Sequence, residues 1–162
     1  MEVNKLLFDT IKQQKFDDFN KIIKNDVTID INIRDSSNTY LIQYAIMYNN
    51  INIITLLLNL NCKLDFIDSE GHTVLYIPIK HSYNEIVKLL LTDNNVLGIP
   101  LIDIADKFGS LAIHYCILFD NLNAFNLIIS ESRYLNKLND QGYAPLHLAI
   151  KKKKLSNGKI IN

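Results

Sequence analysis

The residues best suited to chemistry are four histidines, two cysteines and a run of four lysines. His72, His81, His114 and His147 could ligate a metal or move protons near neutral pH. A metal site wants ligands clustered by spacing, such as i and i+4 on one helix, and these four do not cluster. His114 and His147 instead lie 33 residues apart, an interval that reads as a structural period rather than as a site. Cys62 and Cys116 are too few for a disulfide framework or a zinc centre, and both read as small apolar packing residues. Lys151 to Lys154 could meet an acidic partner or belong to a nuclear-import signal. The reading we favour is a helix C-terminus, where the macrodipole welcomes positive charge. No stretch resembles a phosphate loop, a nucleophile elbow or a dinucleotide fingerprint. The sequence therefore predicts no enzyme, no metal and no cofactor.

The elements that carry these residues repeat. Four nonapeptides begin at Asn38, Gly71, Gly109 and Gly142, spaced by 33, 38 and 33 residues. They read NTYLIQYAI, GHTVLYIPI, GSLAIHYCI and GYAPLHLAI. A polar residue stands three positions before each: Asp35, Asp68, Asp106 and Asn139. Apolar blocks recur downstream at Leu56–Leu58, Leu89–Leu91 and Leu127–Ile129. A closing segment recurs at 31–33, 64–66, 102–104 and 135–137. Self-similarity at such a period signals a stack of supersecondary units.

Local chemistry gives each unit its form. Asp followed by Gly three residues on marks a tight turn, because Gly accepts positive φ. Thr73 is expected to cap the helix that follows, and Pro145 fits a first helical turn. The apolar residues then fall at helical spacing, Leu75 and Ile79 in one helix, Ile86, Leu89 and Leu90 in the next. One such helix pair cannot bury its own apolar face, so neighbours must stack. If the third unit's helix starts at Thr73 or Val74, Pro78 falls near its fifth residue and should kink it.

These residues resemble the ankyrin repeat, whose pattern is Asp-x-x-Gly-x-Thr-Pro-Leu-His-x-Ala. The resemblance covers roughly residues 5 to 152 and is best over 142–149. It implies an all-α solenoid of about four and a half repeats forming one domain. The units are an N-terminal cap at about 1–34, then 35–67, 68–105, 106–138 and a partial unit at 139–162. Leu6, Leu7 and Ile11 belong to the cap's first helix. The third unit is longer by a segment within 94–100, which reads as a tolerated surface insertion or as a partner-specific protrusion. In the last unit the lysines are expected to end the helix, and Ser156-Asn157-Gly158 to break it. Its open edge is then either covered by Leu155, Ile160 and Ile161 or left free for self-association, and the chain could be cut from a longer one. The resemblance further implies that His114 and His147 bond turn backbone between neighbouring repeats.

Lys plus Arg and Asp plus Glu each number 17, for a formal net charge of zero. Zero net charge speaks against general nucleic-acid binding, which depends on neutralising phosphates, and against charge-driven membrane binding. No apolar run approaches the roughly 20 residues of a membrane span. We therefore expect a cytoplasmic protein, with nucleus and host-cell cytosol also open, whose partner is another protein. In ankyrin proteins the partner meets the concave surface of turn tips and first helices. Carried over, that surface is Met47, Tyr48, His72, Lys80, His81, Lys107, Phe108, Leu118, Phe119, Tyr143 and Lys151. Two other roles stay open: a regulatory or targeting part of a larger enzyme or assembly, and a structural subunit associating through its C-terminal edge.

Overall fold

The computed structural model describes residues 2–26, 28–92 and 100–157. Nine α-helices form among them: α1 (Glu2–Lys12), α2 (Phe16–Asn25), α3 (Leu41–Met47), α4 (Ile51–Asn59), α5 (Tyr76–Lys80), α6 (Asn84–Thr92), α7 (Ala112–Leu118), α8 (Leu122–Ile128) and α9 (Pro145–Asn157). A single 3-10 turn spans Leu101–Asp103. The odd-numbered helices pack on one another in chain order and make one layer; α2, α4, α6 and α8 make the second. The 94–100 insertion lies outside the described residues except for Pro100.

The core runs between the layers. Leu7, Ile11, Phe19, Leu41, Leu57 and Leu90 are fully enclosed, each stabilising the stack by about 1.5–3 kcal/mol relative to exposure. Leu6 lies in α1 as expected and is half exposed, because helical geometry turns the residue next to Leu7 away from the core. The polar α1–α2 exterior leaves the chain able to face water at that end.

Each first helix turns into the second the same way. Gln14, Asn49, Ser82 and Asp120 stand just past α1, α3, α5 and α7 with φ of 56°, 51°, 57° and 55°. The next amide donates back to Thr10, Ala45, Pro78 and Cys116 carbonyls at 2.9 Å each. This is a helix-ending left-handed cap built four times without glycine.

Two expectations are corrected. Helix α5 starts at Tyr76, with Leu75 at its cap position, so Thr73 caps nothing there and pairs instead in a bridge with Ile67. Pro78 then falls in the first turn, where an amide has no intrahelical partner to lose. The helix is short and the proline does not sit where it would kink it. Helix α9 runs through all four lysines to Asn157 and does not stop at them. Lysine is a good helix former, and nothing before Gly158 forces an end.

Candidate interaction surface

The tips are built from one repeated device. Oδ1 of Asp35 accepts from the Ser37 and Thr39 amides at 2.9 Å each. Asp68 accepts likewise from Glu70 and His72, and Asp106 from Phe108 and Ser110, at 2.7–2.9 Å. Asn139 does the same for Gln141 and Tyr143. The turn needs a left-handed residue, supplied by Asn38 at φ 63° and by Gly109 at φ 71°. Successive tips are stitched by backbone: the Lys107 amide donates to the Gly71 carbonyl and the Asp140 amide to the Phe108 carbonyl, both at 2.9 Å.

The first helices hang from these tips through side chains of matched register. His114 is buried, its Nδ1 accepts from the Leu111 amide at 3.1 Å, and its Nε2 lies 3.2 Å from the Tyr143 carbonyl of the next tip. Burial holds its pKa below the ordinary value against the raising effect of these bonds. His147 makes the local half of the same arrangement, accepting from the Ala144 amide at 3.3 Å. In the second unit Gln43 stands in for the histidine, its Oε1 accepting from the Tyr40 amide at 2.9 Å. Tyr44 and Tyr115 donate from their hydroxyls to Oδ2 of Asp35 and Asp106 at 2.6 and 2.8 Å. The bond to Asp35, with burial, pushes the Tyr44 pKa up to about 12. Burial resists the ionisation of Asp35, but the hydroxyl of Tyr44, two amides and the Lys12 charge outweigh it, so its pKa is lowered.

The third unit has Tyr76 at the histidine position, and this tyrosine does something else. Its ring stacks on His72 with centroids 3.6 Å apart and planes within 8°. Tyr115 and Phe119 meet it edge-on at 5.1 and 5.5 Å. Lys80 lies over it at 5.4 Å, and Phe108 stands 6.1 Å from His72. The His72 ring sits 3.7 Å from both Asp68 and Glu70 carboxylates.

Four of the expected residues (Met47, His72, Lys80 and His81) line one groove of about 360 Å³ together with Tyr76. Phe119 and Phe108 join it through the aromatic contacts. Lys107 lies over Phe108 at 4.9 Å. Tyr143 and Lys151 form a separate pair, Nζ donating to the tyrosine hydroxyl at 3.0 Å. Tyr48 stacks on Tyr44 at 6.3 Å and does not line the groove. Met47 (50%), Phe108 (45%) and Leu118 (54%) are exposed, whereas Phe119 is half buried against the core. Reading the sequence missed Tyr76, the centre of the cluster. The signal was there: an aromatic in place of a structural histidine.

Comparison with known proteins matches residues 7–99 to the family model for ankyrin repeats in three copies. The chain belongs to the ankyrin repeat family. An ankyrin repeat protein of Acanthamoeba polyphaga mimivirus is 38% identical over 159 residues, covering 96% of this chain and 21% of that protein. One from fowlpox virus (strain NVSL) is 29% identical over 123 residues, covering 61% of this chain and 21% of the relative. The chain thus spans about a fifth of the length of the curated relatives it matches. Ankyrin repeats serve protein–protein interaction and are typically non-catalytic. No described helix is long and apolar enough to cross a membrane. Among the described residues no three His, Cys, Asp or Glu side chains are grouped as metal ligands. Burial pushes the Cys116 thiol up to about 12, which keeps it protonated and inert at neutral pH.

Proposed function

We propose that this ankyrin domain is a non-catalytic binding module that grips a partner protein with the face made by its tips and first helices. The observation that supports this most is the aromatic cluster around Tyr76. Exposed Met47 lines the groove that opens beside it, and exposed Phe108 stands against its His72 ring. Aromatic anchors set in a partly enclosed surface are what binding hot spots are made of, and exposed apolar patches on soluble domains mark interaction sites. Tyr76 is held from two sides by ring contacts, so little of its freedom remains to be lost on binding.

The test is affinity capture from the native cell extract with the wild type beside a Met47→Ala, Phe108→Ala, Leu118→Ala variant. All three side chains are exposed, so the variant should melt like the wild type. A partner kept by the wild type and lost by the variant supports the face. A partner held equally by both moves the interaction elsewhere. The relatives, of which the chain covers only 21%, favour a second reading. In it the domain is a regulatory or targeting part of a larger assembly and uses the same face.

A further inference from the structure

The four tips do not end alike. Asp35 and Asp106 use both oxygens, Oδ1 on tip amides and Oδ2 on the hydroxyl of a tyrosine nine residues on, Tyr44 or Tyr115. Asn139 is followed at that distance by Leu148, but it has no second oxygen, and its Nδ2 donates to Ser110 Oγ at 3.5 Å. Asp68 is the exception. Its Oδ1 holds the Glu70 and His72 amides, and the residue nine positions on is Ile77. Oδ2 of Asp68 has no hydrogen-bond partner among the described residues. His72 does not fill the place: its Nδ1 stands 3.7 Å from Oδ1 and is itself buried without a partner.

Asp68 and Ile77 both line the groove of about 360 Å³ beside Tyr76. Isoleucine cannot reach the carboxylate as the tyrosines of the second and fourth units do. Gln43 lines the same groove. It is 7% exposed and its Oε1 is held by the Tyr40 amide, yet its Nε2 has no partner among the described residues. The groove thus presents one unmet acceptor and one unmet donor beside apolar Met47 and Ile77.

A partner that covers the groove removes water from both groups, and each then needs a bond. Arginine and lysine carry donors only, and a carboxylate carries acceptors only, so any of these leaves one group unmet. A hydroxyl donates and accepts at once, and a phenol adds a ring to pack on the apolar wall. Asp68 and Glu70 against Lys80 leave the lining at a net of −1 with histidines neutral, too little to select an occupant by charge.

We infer that this groove takes a tyrosine side chain of the partner protein, its hydroxyl donating to Oδ2 of Asp68 and accepting from Nε2 of Gln43. The partner supplies the tyrosine that the third unit lacks. This rests on the reading of the face as a binding surface and names what the face grips.

The test is selection of a displayed library of random peptides on the 162-residue chain. The expected winners share a tyrosine, and its replacement by phenylalanine weakens binding about tenfold or more. Asp68→Asn keeps the tip amides bonded, as Asn139 does, and should erase most of that difference. Ile77→Tyr supplies the hydroxyl from within, as Tyr44 and Tyr115 do, and should abolish binding with a urea midpoint no lower than the wild type's. Winners that bind Ile77→Tyr as well as the wild type overturn the inference. So do winners that share arginine or lysine instead, tyrosine winners indifferent to phenylalanine, a selection that yields no peptide, and an Ile77→Tyr midpoint well below the wild type's. Winners lost on the Met47→Ala, Phe108→Ala, Leu118→Ala variant but kept by Ile77→Tyr sink the tyrosine and leave the face standing. Winners indifferent to both variants sink the two together.

Discussion

Helices α5 and α7 hold the same place in successive repeats, yet they are built in opposite ways. In α7 the histidine of the repeat turns inward. It ties its own helix start to the next tip and disappears from the surface. In α5 the same position is Tyr76, Pro78 follows two residues later, and the helix is five residues long rather than seven. With no ring nitrogen to bond backbone, the Tyr76 ring is spent on His72, Tyr115 and Phe119. One unit holds the stack together; the other gives up that tie and gains an aromatic surface. Where a repeat departs from its pattern, it is informative to ask what the replacement now touches.

The sharpest way to break this contrast is to truncate both residues. His114→Ala leaves the buried Leu111 amide without its partner, removes one of the two contacts on the Tyr143 carbonyl and opens a cavity, a loss of about 2–4 kcal/mol. Tyr76→Ala removes ring contacts on a half-exposed face and should cost about 1–2 kcal/mol. Urea melts of the two variants measure the gap, and equal losses would mean that the histidine carries no special tie. Gln43 already does the local half of the job in the second unit.

The tips offer a second contrast. A Cβ on Gly109 would stand 2.6 Å from Oδ1 of Asp140, 3.1 Å from its amide nitrogen and 3.3 Å from Cα of Asn139, whereas one on Gly142 meets nothing within 4 Å. Both have positive φ, so each Ala variant carries left-handed strain of about 1–2 kcal/mol. Gly109→Ala adds a clash with the neighbouring tip and should cost roughly 1–2 kcal/mol more than Gly142→Ala. Thermal melts of the pair would erase the distinction if the two midpoints fell together.

The pH dependence separates the units again. His114 has a lowered pKa in the fold, because burial disfavours its charged form. The unfolded chain keeps a histidine near 6.5 and takes the proton first as pH falls. The stabilising effect is therefore full above about pH 6.5 and is lost below it, levelling off once pH passes under the folded pKa. In His114→Gln this slope should flatten while most of the fold survives. An unchanged slope between pH 7 and 5 would assign it to another group.

Much of this was legible in the chain. The Asp35, Asp68, Asp106 and Asn139 turns and the two helix layers follow from residue type and period, because backbone hydrogen bonding and burial repeat with them, and the tie made by His114 follows from the resemblance to the ankyrin repeat. The fate of Tyr76 was not legible, since whether a ring replaces a bond or stacks on a neighbour depends on rings far along the chain, Tyr115 and Phe119. Phe119 was read as surface and is half packed, for the same reason. The reach of Lys152 to the end of α7 was hidden too: a lysine run fixes charge, not which amine folds back.

The smallest effect tests the geometry of α5 most directly. In the other units the first helix starts at the fourth nonapeptide residue, Leu41, Ala112 or Pro145. The equivalent here is Val74, and the helix begins two residues later at Tyr76. A helix starting at Val74 would ask residue 78 to donate to the Val74 carbonyl, which proline cannot do, and its ring would crowd that carbonyl. Starting at Tyr76 removes the demand, so Pro78 sits where no amide is needed. Pro78→Ala should then change stability by less than about 1 kcal/mol, since a proline tolerated in a first turn loses little on replacement. If the variant instead gains about 3 kcal/mol and a measurable increment of helical circular dichroism, the proline is holding the helix back to Tyr76 at a cost. The stacking of Tyr76 on His72 would then be a geometry imposed by position 78 rather than one chosen by the two rings.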